Sequence, residues 1–250
     1  MKKKLSNFKL FKTKITIMFS FLVFSISGYS QTVEIFFEQT NEFLKKNVTA
    51  EGKIDYITLK KSPGELMYIL SNVEKLDATF TDKNLAKAFW INIYNLQVIK
   101  GVLDTYPFKN VNQIPNFFKG NYFIVIQQEL TLDDVENTIL RELLFDPAIH
   151  FALSSASNGG APLLNEAYMP KTIEEQLKTQ ASRVINSKSY YKINKDEKSI
   201  ALPKIFEWYK KDFVTQYFNE IDFLNIFSEK RIDNKLSVTT YDFDWTLNQK

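Results

Sequence analysis

Apolar residues recur at helical spacing in the first stretch after residue 30. In "TVEIFFEQTNEFLKKNV", Val33, Phe36, Phe37, Phe43 and Leu44 fall three, four or seven positions apart with charges between them, which predicts an amphipathic helix. "EGKIDYITLKKSPGEL" predicts a turn, a short extended piece from Ile54 to Leu59, and a helix opening at Ser62-Pro63 that continues through "GELMYILSNVEKL". The longest helix opens at Thr81-Asp82 and runs through "KNLAKAFWINIYNLQVIKGVL". Leu85, Ala88, Phe89, Asn92, Tyr94, Leu96, Ile99 and Leu103 leave little of its surface polar, so it belongs at the centre of the fold.

The second half alternates less regularly. "TYPFKNVNQIPNFFKGN" reads as loop and "YFIVIQQELTL" as a strand pair or a bent strand. "TLDDVENTILREL" is a helix with Thr131 and Asp134 in capping-box spacing. "IHFALSSA" is a β run, "APLLNEAYMP" a loop, and "KTIEEQLKTQASRVINS" an amphipathic helix. "YYKINKDEKSIALP" gives two short strands around a polar turn; "KIFEWYKKDFVTQY" and "EIDFLNIFSEKR" are helices whose aromatic residues go to the core. "KLSVTTYDFDW" is a terminal strand carrying Asp242 and Asp244 on one face. Strands do not alternate with helices, so the class is α+β: a helix-rich single domain over residues 31–250 with a small, mostly antiparallel sheet.

Composition changes the picture at the N-terminus. Six lysines precede "ITIMFSFLVFSI", an uncharged and mostly apolar run, and "SGYSQ" follows. That is the organisation of a secretory signal peptide over residues 1–30, with cleavage near Ser30–Gln31. The apolar run falls short of the roughly 20 residues that span a bilayer, so no stable membrane anchor is expected after cleavage. The expected product is a soluble protein exported to the periplasm or beyond. Removing the leader's six lysines leaves 26 basic and 29 acidic residues, a net charge of −3. No basic footprint remains for nucleic acid. The chain has no cysteine, so packing alone must stabilise it, and 22 Phe, 12 Tyr and 3 Trp supply a large aromatic core.

Several segments carry a resemblance. "AFWINIYN" (Ala88 to Asn95), "TLDDVENTILR" (Thr131 to Arg141) and "IHFALSSASNGGAPLLNEAY" (Ile149 to Tyr168) are followed by "IEEQLKTQASRVIN", "LPKIFEWYKKDF" and "YDFDWTLN". In this order, over most of residues 45–248, they resemble the bacterial and plant family called domain of unknown function 547. The resemblance implies a fold and no established activity. It also implies cysteines after the His-Phe-Ala-Leu stretch, where this chain has Ser155, Gly160 and Ala161 but keeps Pro162 and Leu163. The family's Ile-Glu-His segment is Val135-Glu136-Asn137 here. If the usual cysteine or second histidine did chemistry, this member has lost it.

Candidate chemistry centres on His150, the only histidine. On a strand, His150 and Ser154 share a face but stand roughly 13 Å apart, too far for a base and its nucleophile. Ser157, brought back by the Asn158-Gly159-Gly160 turn, is the candidate nucleophile, with Glu136 or Asp146 as partner of the imidazole. No Gly-x-Ser-x-Gly elbow is present. Asn92 and Asn95 lie among apolar neighbours of the long helix and must find partners there. Two uses are open: lining a ligand pocket with Trp90, Tyr94 and Asn158, or holding the backbone of an adjacent loop, such as the one after His150. One histidine and no cysteine give no transition-metal site, and Asp242 with Asp244 lacks Ca²⁺-loop spacing. Glu136 and Arg141, five apart, miss the spacing for a direct pair on an α-helix. The reading is a binding or interaction module for a small molecule or protein, without cofactor, with a polar cleft around the His150 loop. The alternative is a hydrolase or transferase with His150 as general base.

Overall fold

The computed structural model describes residues 32–77 and 79–250; the expected leader at 1–30 lies outside the described residues. Helix α1 (32–47) buries Val33, Phe36, Phe37, Phe43 and Leu44, the stripe its spacing predicts. Between it and the next long helix, the expected extended piece is instead a short helix, α2 (Tyr56–Lys61). Asp55 overrides the β-like composition: its carboxylate accepts from Thr58 N at 3.0 Å and from Thr58 Oγ1 at 2.9 Å, an N-cap that starts a helical turn. Helix α3 (Gly64–Glu74) follows Pro63 and buries Leu66, Ile69, Leu70 and Val73.

Helix α4 (Lys83–Thr105) is the centre of the molecule. Asp82 caps it by accepting from Asn84 N at 2.8 Å and Leu85 N at 2.9 Å. From Ala86 to Leu103 nearly every residue is buried, as its all-round apolar surface requires. The β1 (Phe123–Val125) and β2 (Gln128–Leu130) strands form the expected hairpin. Its two turn residues, Ile126 and Gln127, have φ of +46° and +61°, the left-handed pair that matches strand twist. Their amides donate to Val73 O at 2.9 Å and Glu74 O at 3.3 Å, so the turn also satisfies carbonyls at the end of α3.

The segment Asp134–Leu143 is a helix of the π type. The predicted capping box forms: Thr131 N donates to Asp134 Oδ2 at 2.8 Å, and Asp134 N donates to Thr131 Oγ1 at 3.1 Å. The expected β run at Ile149 is a 3₁₀ helix, Pro147–Phe151. Asp146 accepts from Ala148 N at 2.9 Å and Pro147 takes the first helical position, so a start signal just upstream decides the conformation. All five residues are buried, and a short buried run has no periodicity to separate helix from strand.

Helix α5 (Ile173–Ile185) is followed by β3 (Lys192–Asn194) and β4 (Ser199–Pro203), an antiparallel pair as expected. The single helix expected over "KIFEWYKKDFVTQY" is broken at Tyr209 into α6 (Ile205–Trp208) and α7 (Lys210–Val214). Helix α8 (Glu220–Phe227) leads to β5 (Ser237–Tyr241), which pairs parallel with β4. The three-stranded sheet β3-β4-β5 is therefore mixed, while the class is α+β. The strand ends at Tyr241, so Asp242 and Asp244 lie beyond it rather than on its face.

Two groups of buried side chains result. The larger surrounds α4; the smaller gathers Phe151, Phe206, Phe213 and Phe223 beside α5 and β4. His150 sits where they meet, one residue before Phe151.

Candidate functional site

The break at Tyr209 organises the site. With α6 and α7 offset there, Tyr209, Asp212 and Phe213 fall at i, i+3 and i+4 and reach His150 together. His150 Nε2 lies 2.9 Å from Asp212 Oδ2, and its ring stacks on Tyr209 at 4.2 Å and against Phe213 at 5.2 Å. The same carboxylate accepts Arg141 Nε at 2.6 Å and Arg141 Nη2 at 3.0 Å. Burial alone would raise the Asp212 pKa, but the hydrogen bonds from His150 and Arg141 outweigh it and hold the group well below the usual carboxylate range. The partner of His150 is thus Asp212, not Asp146 or Glu136. Asp146 is taken by the Ala148 cap and by Lys87 Nζ at 2.9 Å.

The π-helix supplies the next layer. Its i→i+5 geometry puts Glu136 and Arg141 about one turn apart, a relation that α-helical spacing hides. The Arg141 guanidinium lies 4.8 Å over the Tyr209 ring. Tyr94 OH donates to Glu136 Oε2 at 3.0 Å. The Tyr94 and Tyr209 phenols are pushed up, first by burial and then by the negative charge of Glu136, so both stay protonated.

The two asparagines of α4 are backbone clamps. Asn95 Nδ2 donates to Ala152 O at 2.9 Å and its Oδ1 accepts from Ser154 N at 2.8 Å. Asn92 Nδ2 donates to Tyr168 O at 2.8 Å and its Oδ1 accepts from Tyr168 N at 3.0 Å. Each amide fixes one loop, the first being the one after His150, and neither lines a cleft. Trp90 is core, 5.3 Å from Phe89 and edge-on to it, because α4 is buried on every side. The His150–Ser157 pairing that the enzyme alternative requires does not form. Ser157 Oγ shares a 2.6 Å hydrogen bond with Ser155 Oγ, and Ser155 is the serine that faces the same cleft as His150.

That cleft has a volume of about 390 Å³. Glu136, Asn137, His150, Ser155 and the Tyr94 phenol give it polar groups, and Lys119 pairs with Asp133 at its rim at 3.6 Å. Trp208, Phe243 and Trp245 give it an aromatic wall: ring centroids are 5.2 Å apart for Trp208–Phe243, 5.7 Å for Trp208–Trp245 and 4.5 Å for Phe243–Trp245. Trp208 was expected in the core, yet it is 45% exposed. The C-terminal segment behind this wall is bonded on both edges. Val111 N donates to Trp245 O at 3.0 Å and Leu247 N to Lys109 O at 2.9 Å on one side. On the other, Gly159 N donates to Asp244 O and Asn158 N to Thr246 O, both at 2.8 Å. Asp244 further accepts from Thr246 N at 2.9 Å. A second cleft of about 530 Å³ holds Ser157 and Asn158; Asn158 Oδ1 accepts from Lys53 Nζ.

Sequence reasoning missed Asp212, Arg141, Tyr209, Trp208, Phe243 and Trp245. The signal present was "WYKKDF", where Asp212 stands three positions after Tyr209. Among the described residues, no group of three or more His, Asp or Glu is placed to hold a metal ion, and no helix is long and apolar enough to cross a membrane.

The fold and site together define an α+β protein with an aromatic-walled cleft beside a cluster of buried His150 and Asp212 with half-buried Arg141. Residues 78–185 match the model of the family described as Protein of unknown function, DUF547, the family that the motifs of the chain resemble. No curated protein and no solved structure matches the chain. The matched segment supplies Glu136, Arg141, His150 and Ser155, while Asp212 and the aromatic wall come from beyond it.

Proposed function

We propose that the protein is a binding module whose cleft receives a small polar molecule bearing an apolar ring face. One observation carries this: the exposed Trp208 ring stands at a concave surface beside the half-buried rings of Phe243 and Trp245, and the segment bearing those two is hydrogen-bonded along both edges. A wall held rigid before the ligand arrives loses little entropy on binding. The polar side of the cleft supports the same reading, because Glu136 and Asn137 are oriented by Tyr94 and Arg141. The cluster of His150, Asp212 and Arg141 then serves as scaffold. A thermal-shift screen of small molecules tests this on the wild type and on Trp208→Ala. A ligand at 100 times its Kd should stabilise the wild type by about 2.7 kcal/mol and the variant by about half of that or less. Equal shifts in both proteins would contradict the reading.

A hydrolase or transferase is the second reading, favoured by His150 bonded to an acid while Ser155 lines the same cleft. It requires Ser155→Ala to abolish turnover of an activated ester; unchanged turnover removes it. We further propose that the module acts after export, a reading supported by the basic leader and the apolar run Ile15 to Ile26. Mass spectrometry of the mature chain should find Gln31 at its N-terminus.

A further inference from the structure

We infer that the ligand is a neutral oligosaccharide, and that the aromatic cleft continues past Gly160 and Phe243 into the second cleft, which holds further sugar rings. This rests on the binding reading above and names its ligand. Gly160 and Phe243 line both clefts, so the two spaces share a boundary. Residue 160 puts no side chain at that boundary, because a Cβ there would lie 2.2 Å from Ser155 Oγ, and the Phe243 ring is 3.7 Å from the same point. Each volume is within the roughly 300–1,000 Å³ of ligand sites.

Charge balance selects a neutral ligand. The aromatic cleft is lined by Lys119, which pairs with Asp133, and by Glu136; the second is lined by Lys53, Arg183 and Lys192 together with Glu51, Asp242 and Asp244. Neither cleft carries the single-sign field that would gather a phosphate or a polyanion. The interleaved carboxylates, amides and ammonium groups instead offer acceptors and donors side by side. A sugar hydroxyl needs both, since it donates one hydrogen bond and accepts others. The aromatic wall supplies the remaining requirement. A pyranose ring has a face of C–H bonds, and the flat, partly exposed indole of Trp208 beside Phe243 and Trp245 covers such a face while its N–H stays free for a hydroxyl.

Isothermal titration of the protein with cello-, xylo-, manno- and chito-oligosaccharides, from monosaccharide to hexasaccharide, tests the inference. One series should bind with affinity that rises with length and then levels off. Trp208→Ala should weaken every length about tenfold or more, as loss of an aromatic anchor does. Asn158→Ala, at the second cleft, should weaken only the longer members. Circular dichroism of both variants checks that they fold. Affinity independent of length would overturn the joined groove. If no oligosaccharide binds while another class of compound shifts the wild type by more than Trp208→Ala, the sugar inference fails and the binding reading stands. If no compound of any class does so, both fail.

Discussion

His150 is buried, and its environment assigns it to the scaffold. Replacing it with alanine removes a hydrogen bond to a charged carboxylate and a stacked ring, so His150→Ala should cost about 2–3 kcal/mol in urea unfolding with the slope unchanged. A neutral result would return the residue to candidacy as a catalytic base. Asp212 has a pH signature. Its folded-state pKa is depressed below the unfolded value of about 3.9, so the stability it confers is complete above that value and is lost as pH falls below it. The stability gap between wild type and Asp212→Asn should be full above about pH 5 and narrow as pH falls below about 4; a gap constant from about pH 6 down through that range would contradict the assignment. Asn95→Ala strands Ala152 O and Ser154 N in the core, at about 1–3 kcal/mol for each unpaired group. The need of the two asparagines for partners was legible in the sequence. The identity of the histidine's partner was not, because Asp212 is 62 residues away and only the tertiary fold brings it to the imidazole.

At the scale of elements, the long periodic patterns of α1, α4 and α5 read correctly, as did the short β1–β2 and β3–β4 pairs, whereas the short apolar runs after Asp55 and Asp146 did not. The lengths of α1, α4 and α5 let one face or an all-round apolar surface show itself. At Asp55 and Asp146 a single capping carboxylate turned a β-like run into a helical turn. The π-helix hid a relation between Glu136 and Arg141 that α spacing had dismissed, and the Tyr209 break placed a core-like aromatic, Trp208, on the cleft wall. The β1–β2 hairpin offers a test of its turn. Gln127 is exposed with φ +61°, so Gln127→Gly should stabilise the protein by up to about 1 kcal/mol in thermal unfolding. Destabilisation there would mean that the turn geometry differs from the one described.

At the scale of the molecule, the family-matched segment does not contain the whole site. Phe151 belongs to a core completed by Phe206, Phe213 and Phe223, and the wall of the cleft is drawn from residues 208–245. A fragment limited to residues 78–185 should therefore lack a cooperative unfolding transition in circular dichroism, whereas residues 31–250 should unfold in one step. The most direct test of the central claim uses the three tryptophans as internal reporters. Trp90 is buried in α4, while Trp208 and Trp245 line the cleft. In an NMR titration that follows the three indole N–H signals, a ligand that stabilises the protein should shift those of Trp208 and Trp245 and leave that of Trp90 in place. A stabilising ligand that moves the Trp90 signal alone, or none of the three, would contradict the account.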